Sequence, residues 1–249
     1  MDQILTTIKK GIDVNRFRHG SILAAALSAI STGASAYELY SDADTTLKLN
    51  VQGALGFFHS DESYNQGGPI APGSVAWQEA FLRYGLSGTT RLAGNSSLYG
   101  EFNVVSNGTW GDGDAAGYTD GSERRTAVDR AYAGWRSGDL FPALGKDGLD
   151  FSAGSQKVKV GDGFIINGDG LSVGNNIADG SVDRGGAYYL TARNAFDRTA
   201  WLKVGGQQGW RGDLIWVKSD NQLKAKPELG IAVLEHVAAE GTVGLTYVK

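Results

Sequence analysis

Cysteine is absent from the 249 residues, which excludes disulfides and any zinc or iron–sulfur centre held by thiolates. Histidine is nearly absent too. His19, His59 and His236 are scattered, and no H-E-x-x-H, G-x-S-x-G or Walker pattern occurs. Gly161-Asp162-Gly163 is not a dinucleotide-binding fingerprint, because G-x-G-x-x-G is incomplete and no helical pattern follows it. No catalytic residue and no cofactor is therefore expected, and the chain reads as a non-enzyme. A basic excess is missing as well: 23 Lys and Arg stand against 27 Asp and Glu, so no nucleic-acid footprint is present. No run of eighteen apolar residues exists, which argues against a membrane-spanning helix. Proline occurs only four times.

Glycine and aromatics are abundant: 37 Gly, with six Trp, ten Tyr and nine Phe. Aromatics at this level argue against disorder. Glycine with aromatics and short alternating segments suits an all-β protein, where glycine allows tight turns and close strand packing. The clearest alternation is DTTLKLNVQGALGFF, Asp44 to Phe58, with Leu47, Leu49, Val51, Leu55 and Phe57 on one face and Lys48, Asn50 and Gln52 on the other. It is long enough to cross a bilayer as a tilted strand, and it equally fits a long strand of a soluble sheet.

Residues 1–36 have the layout of a secretory signal peptide. Lys9, Lys10, Arg16 and Arg18 precede a short apolar core, and Ala34-Ser35-Ala36 is an A-x-A site with cleavage expected before Tyr37. These residues hold four basic and two acidic side chains, leaving 19 basic and 25 acidic in the remainder.

Further strands are expected at about 76–88, with Ala80, Leu82, Tyr84 and Leu86 opposite Glu79, Phe81 and Arg83, and at about 97–107, with Leu98, Phe102 and Val104 opposite Tyr99, Glu101 and Asn103. Others are expected at 126–135, from Leu149 onward, at 185–192, 198–205, 211–219, 229–237 and 242–248, nine or ten in all. The stretches 59–73 and 107–124 read as long polar loops, and 161–183 breaks the alternation. Long loops on one side, short turns on the other and aromatics near strand ends point to an antiparallel transmembrane β-barrel occupying residues 37–249. The last alternating segment runs to Val248 with no partner following it, so the chain reads as the N-terminal part of a larger barrel of roughly sixteen to eighteen strands.

Trp77-Gln78-Glu79, the loop TWGDGDAAGYTDGSERR and the run from Ala131 to Gly174 resemble Gram-negative outer-membrane porins with an alginate-export-type domain. The resemblance covers residues 37–249 and is strongest in the Asp129–Gly174 region, which holds Gly154-Ser155-Gln156-Lys157-Val158-Lys159-Val160-Gly161-Asp162-Gly163, where relatives often carry Arg in place of Ser155. It implies a channel in the cell outer membrane for passive diffusion of small or oligomeric anionic solutes such as sugar acids. It implies contacts with outer-membrane lipid, lipopolysaccharide and the barrel-assembly machinery. The departure at Ser155 removes one basic group from the pattern and weakens any assignment to alginate itself. An outer-membrane binding, adhesion or structural barrel is the alternative, and a secreted soluble Gly-rich β protein is a third reading.

With the oily faces toward lipid, Lys48, Glu79, Arg83, Glu101, Arg130, Arg136 and Gln156 line the interior, with Arg193, Arg198 and Lys203 as further candidates. Lys157 and Lys159 join them if a bulge near Gln156 turns them inward. Such a set either forms a basic constriction that prefers anions or pairs off with Glu79, Glu101, Asp129 and Asp150 as a wall network. The segment 161–183 is long enough to fold into the interior. The loop from Asp112 approaches a calcium-loop pattern through Asp112, Asp114, Asp120 and Glu123, with Ala116 failing at the fifth place; a solvated acidic loop is the other reading.

Overall fold

A computed structural model describes residues 28–64, 73–170, 185–221 and 225–249, with residues 28–35 described for their backbone alone. Ten strands follow one another along the chain and in space: β1 (Ser28–Ser41), β2 (Thr45–Ser60), β3 (Val75–Arg91), β4 (Ser97–Gly111), β5 (Arg124–Arg136), β6 (Leu149–Gln156), β7 (Phe196–Val204), β8 (Gly209–Lys218), β9 (Glu228–Ala238) and β10 (Gly241–Val248). They form one sheet in the order β1 to β10, and every pairing is antiparallel.

The sheet is open. Among the described residues β1 pairs only with β2, and β10 only with β9. This overturns the expected transmembrane barrel. Alternation determines which side chains share a face, but closure requires the first and last strands to meet. With it fall the porin reading, transport and ion transport, the transmembrane β-strands and the barrel of binding or structural type. No helix of the described residues is long and apolar enough to cross a membrane.

The expected outer-membrane location is corrected on the same ground. The presumed cleavage point before Tyr37 lies inside β1, where Ala36 pairs with Asn50 and Tyr37 with Leu49. Residues 1–27, which hold the basic region and most of the apolar core of the expected leader, lie outside the described residues. The lipid, lipopolysaccharide and assembly-machinery contacts expected of an outer-membrane barrel lose their basis with it, as does the solute passage.

Most other strands fall where the alternation places them. The exception is 185–192, expected as a strand. Its backbone makes turns, with Ala187 and Thr191 at positive φ, and residues 185–195 lie as a strap across one face of the sheet. The segment 171–184, most of the stretch expected to enter a barrel interior, lies outside the described residues.

The two faces differ sharply. The inner face, under the strap, carries a small apolar core of Val158, Ile166, Phe196, Ile215, Val217, Ile231 and Val233 at its β7–β9 side. Toward β2–β5 it is polar and charged, with Glu79, Arg83, Asn103, Thr109 and Asp129 buried. The outer face carries the leucines, valines and aromatics, and these are exposed.

Besides two register shifts between β1 and β2, bulges in β5 and β6 adjust this arrangement. In β5, Asn103 pairs with Arg130 while Val104 pairs with Val128. Asp129 is therefore the extra residue, and both Asp129 and Arg130 face inward. In β6 the register shifts between Gly154 and Gln156, with Gly154 at φ 126°.

Candidate functional site: the charged inner face

Arg83 lies on the inner face, placed there by the alternation of β3. Its Nε donates to Asp129 Oδ2 at 2.8 Å, and one terminal nitrogen donates to the Ala192 carbonyl at 2.6 Å. A further bond goes to Gln52 on β2. Asp129 Oδ1 in turn accepts the Asn194 and Ala195 N–H groups at 3.2 and 3.4 Å. The buried pair thus ties the strap to three strands. Burial lowers the Arg83 pKa, and the Asp129 carboxylate opposes that effect.

A second set lies beside it. Arg130 donates to Glu101 at 3.0 Å, Tyr132 donates to the other Glu101 oxygen at 3.1 Å, and Asn103 donates to Glu101 as well. Burial, with Glu101 close by, pushes the Tyr132 phenol up to about 12. A third set is built on Asp150, which accepts Arg136 Nε at 3.2 Å and the Tyr99 hydroxyl, with Lys203 Nζ at 4.0 Å. The Arg136 guanidinium also lies over the Tyr99 ring, 4.3 Å from its centre. Arg83, Arg130 and Arg136 are therefore each matched by a carboxylate. In each case the carboxylate lies on another strand of the same face.

Lys48 is placed otherwise. It borders an open cleft of about 400 Å³ that is also lined by Ser87, Tyr99, Glu101, Tyr132 and Arg136. Gln156 is buried and donates to Thr199 at 2.7 Å. The bulge expected near Gln156 is present, but it does not bury the lysines. Val158 takes the buried position, and Lys157 and Lys159 on either side are exposed. Arg193 is buried and pairs with Asp220 at 2.8 Å, whereas Arg198 is exposed beside Asp197.

Glu79 departs from the pattern. It is wholly buried beneath the strap, where Leu190 N–H donates to Oε2 at 3.0 Å. Oε1 has no well-formed hydrogen bond among the described residues. Burial raises its pKa to about 7; the Leu190 and Tyr189 amides and the Trp77 indole act in the opposite sense, and the Asp114 carboxylate adds to the rise.

Next to it is an aromatic group that the alternation did not bring together. Phe58 stacks on Trp77 with ring centres 5.2 Å apart, and Tyr189 of the strap meets both at 5.4 and 5.3 Å. Tyr188 joins Tyr189 to Tyr118, and the Tyr64 and Tyr189 hydroxyls are 3.0 Å apart. The signal available in sequence was parity: Phe58 and Trp77 share the inner face, where their neighbours are polar.

The carboxylates of the acidic loop mostly close its own turns. Asp114 accepts the Ala116 and Thr119 N–H groups and the Thr119 hydroxyl; Asp120 accepts the Ser122 N–H. Glu123 accepts the Asp120 and Gly121 N–H groups, and Asp112 accepts Ala76 N–H. Among the described residues no three of these groups converge on a point where a metal ion would sit.

These features define a class by architecture alone: among the described residues, an open ten-stranded antiparallel sheet with one charged, strapped face and one exposed apolar face. No family model matches the chain, and no curated protein or solved structure matches it either. The resemblance to alginate-export-type porins, and with it the Gram-negative assignment, is thereby overturned. Short motifs rich in Gly, Asp and aromatics recur wherever long strands are joined by polar loops, so they carried less identity than they suggested.

Proposed function

We propose that this chain is an assembly protein that acts by packing its outer face on a second copy of itself, not by catalysis. One observation carries this reading. Leu47, Val51, Leu55, Phe57, Leu82, Tyr84, Leu86, Leu98, Phe102, Val128, Phe151, Leu214, Trp216, Leu234, Val243, Leu245 and Tyr247 occupy one face and are each at least 36% exposed.

Their combined accessible area is on the order of 1,400 Å², against a few hundred for an ordinary monomer's largest patch. It exceeds the ~800 Å² per partner of a stable protein interface. The face is also free of charge across its middle. Arg124, Arg198, Lys218 and Glu228 stand at one rim, and His236 beside Trp210 at the other. Two identical uncharged faces can meet without burying an unmatched ion, as two layers about 10 Å apart. A sheet with one apolar face needs such a second layer.

Sedimentation equilibrium tests this directly. The wild-type chain is expected at twice its 26.3 kDa mass. Leu82→Lys with Phe151→Lys, on strands not adjacent to each other, is expected to give a monomer with unchanged far-UV circular dichroism. A wild-type chain that stays monomeric up to high micromolar concentration refutes the reading.

A further inference from the structure

We infer that the strap is a one-ended pH latch: its 187–190 turn is held shut over the sheet in acid and lifts toward neutral pH, while its 192–195 end stays clamped. The bonds that hold the strap divide it in this way. At the clamped end Arg83 donates to the Ala192 carbonyl at 2.6 Å, and Asp129 accepts the Asn194 and Ala195 N–H groups at 3.2 and 3.4 Å. Arg83 and Asp129 answer each other's charge at 2.8 Å, so this clamp is neutral as a whole and holds through the neutral range. At the other end Ala187 N–H donates to the Thr109 hydroxyl at 2.9 Å, and Leu190 N–H to Glu79 Oε2 at 3.0 Å. Thr109 does not ionise. The wholly buried Glu79 is the ionisable group on which this end rests.

The surroundings of Glu79 suit the acid and not the anion. Its cross-strand neighbours are Gly56 and Thr109, neither of them titratable. The titratable groups around it among the described residues are Asp114 of the loop after β4, Tyr188 and Tyr189 of the strap, and Tyr64 after β2. None of these is positive at any pH, and the Asp114 carboxylate opposes a second negative charge beside it. Arg83, farther along the same face of β3, is committed to Asp129. A carboxylate here has lost its hydration without gaining a counter-charge, whereas lifting the turn returns it to water. Burial raises the Glu79 pKa from 4.5 to about 7. The shut state therefore holds the proton more tightly than the lifted state. Lifting becomes easier by about tenfold per pH unit as pH rises between those two values, and levels off above them.

The backbone supplies a hinge between the two clamps. Thr191 is β-branched yet has φ 50°, a left-handed conformation that strains such a residue, and Ala187 has φ 57°. Thr191 N–H donates to the Tyr188 carbonyl at 3.2 Å and Ala192 N–H to the Ala187 carbonyl at 3.4 Å. The turn thus closes on itself and can swing about Ala192 as a unit. Swinging withdraws Tyr189 from the Phe58 and Trp77 rings, 5.4 and 5.3 Å away, and opens a way to two aromatics that are 6% and 3% exposed when the turn is shut. The latch lies on the inner face and operates whether or not the outer faces pair.

Amide hydrogen exchange of the full chain, followed residue by residue from pH 4.5 to 8 and expressed as protection factors, reads the latch. Protection at Ala187 and Leu190 is expected to fall about tenfold per pH unit up to pH 7, roughly 300-fold in all, and then to level off. Asn194 and Ala195 are expected to keep theirs. This contrast lies within the wild-type chain and needs no variant. Glu79→Gln keeps an acceptor for Leu190 and never ionises, so it is expected to flatten the profile at Ala187 and Leu190. Protection at Leu190 that does not change with pH overturns the proposal. An equal fall at Asn194 and Ala195 also overturns it, by assigning the effect to release of the whole strap or to global unfolding. A Glu79→Gln profile as steep as that of the wild type does the same.

Discussion

Replacing Glu79 by Gln is expected to abolish a pH dependence of stability that this one buried carboxyl imposes. Glu79 is fully buried beneath the strap, and its pKa rises from 4.5 to about 7 because burial penalises the charged form. The folded state therefore holds the proton more tightly than the unfolded chain does. Glu79 contributes fully to stability below about pH 4.5, and the contribution is lost as pH rises through about 7. At 1.36 kcal/mol per pH unit, that displacement corresponds to about 3 kcal/mol of stability lost between those limits. Gln keeps an oxygen to accept the Leu190 N–H and carries no charge at any pH. Urea unfolding at fixed protein concentration, at pH 4.5, 5.5, 6.5 and 7.5, measures the effect as the difference between wild type and Glu79→Gln. The variant is expected to gain on the wild type steadily across this range, by about 3 kcal/mol in total. Other titrating groups are common to both proteins and cancel in the difference. A difference that is flat with pH, or one that favours the wild type as pH rises, refutes the reasoning.

Two further outcomes follow from the same face. Asp129→Ala leaves Arg83 buried without its carboxylate and strips the Asn194 and Ala195 N–H groups of their acceptor, so a loss of about 3–5 kcal/mol is expected in urea unfolding. Hydrogen exchange at 192–195 should accelerate at the same time. Gly154→Ala places a Cβ 2.3 Å from the Ala131 carbonyl at a φ of 126°, so a loss of about 2 kcal/mol or more is expected in the same assay.

The charges hidden on this sheet are answered by the strap. The strap closes over Arg83, Asp129 and Glu79, and its own backbone groups answer them: the Ala192 carbonyl takes Arg83, the Asn194 and Ala195 amides take Asp129, and the Leu190 amide takes Glu79. A covering segment without regular structure suits this task, because its amides are free to turn toward side chains. It also explains why 185–192, expected as a strand, is not one. Its Ala187 and Leu190 amides and its Ala192 carbonyl bond to the face it covers, and its Thr191 and Ala192 amides close turns within the segment.

What the amino-acid sequence determined by itself is the sidedness of the strands. Period-two alternation in β2, β3 and β4 places Leu47, Leu82 and Phe102 on one face and Lys48, Glu79, Arg83 and Glu101 on the other, since successive side chains of a strand must point to opposite sides. The start of β6 at Leu149 and the strands β8 to β10 were legible for the same reason. Tertiary structure alone decided what depends on distant residues meeting. Whether β1 and β10 pair is not a property of either strand, so alternation that suits a barrel serves an open sheet equally well. The strand character of 28–41 comes from pairing with β2, not from a pattern of its own. The extra residue at Asp129 turns two consecutive charged side chains to the same face, against the alternation, because their partners Arg83 and Glu101 lie on other strands. Local pattern sets the face a side chain takes; long-range register sets which neighbours it meets there.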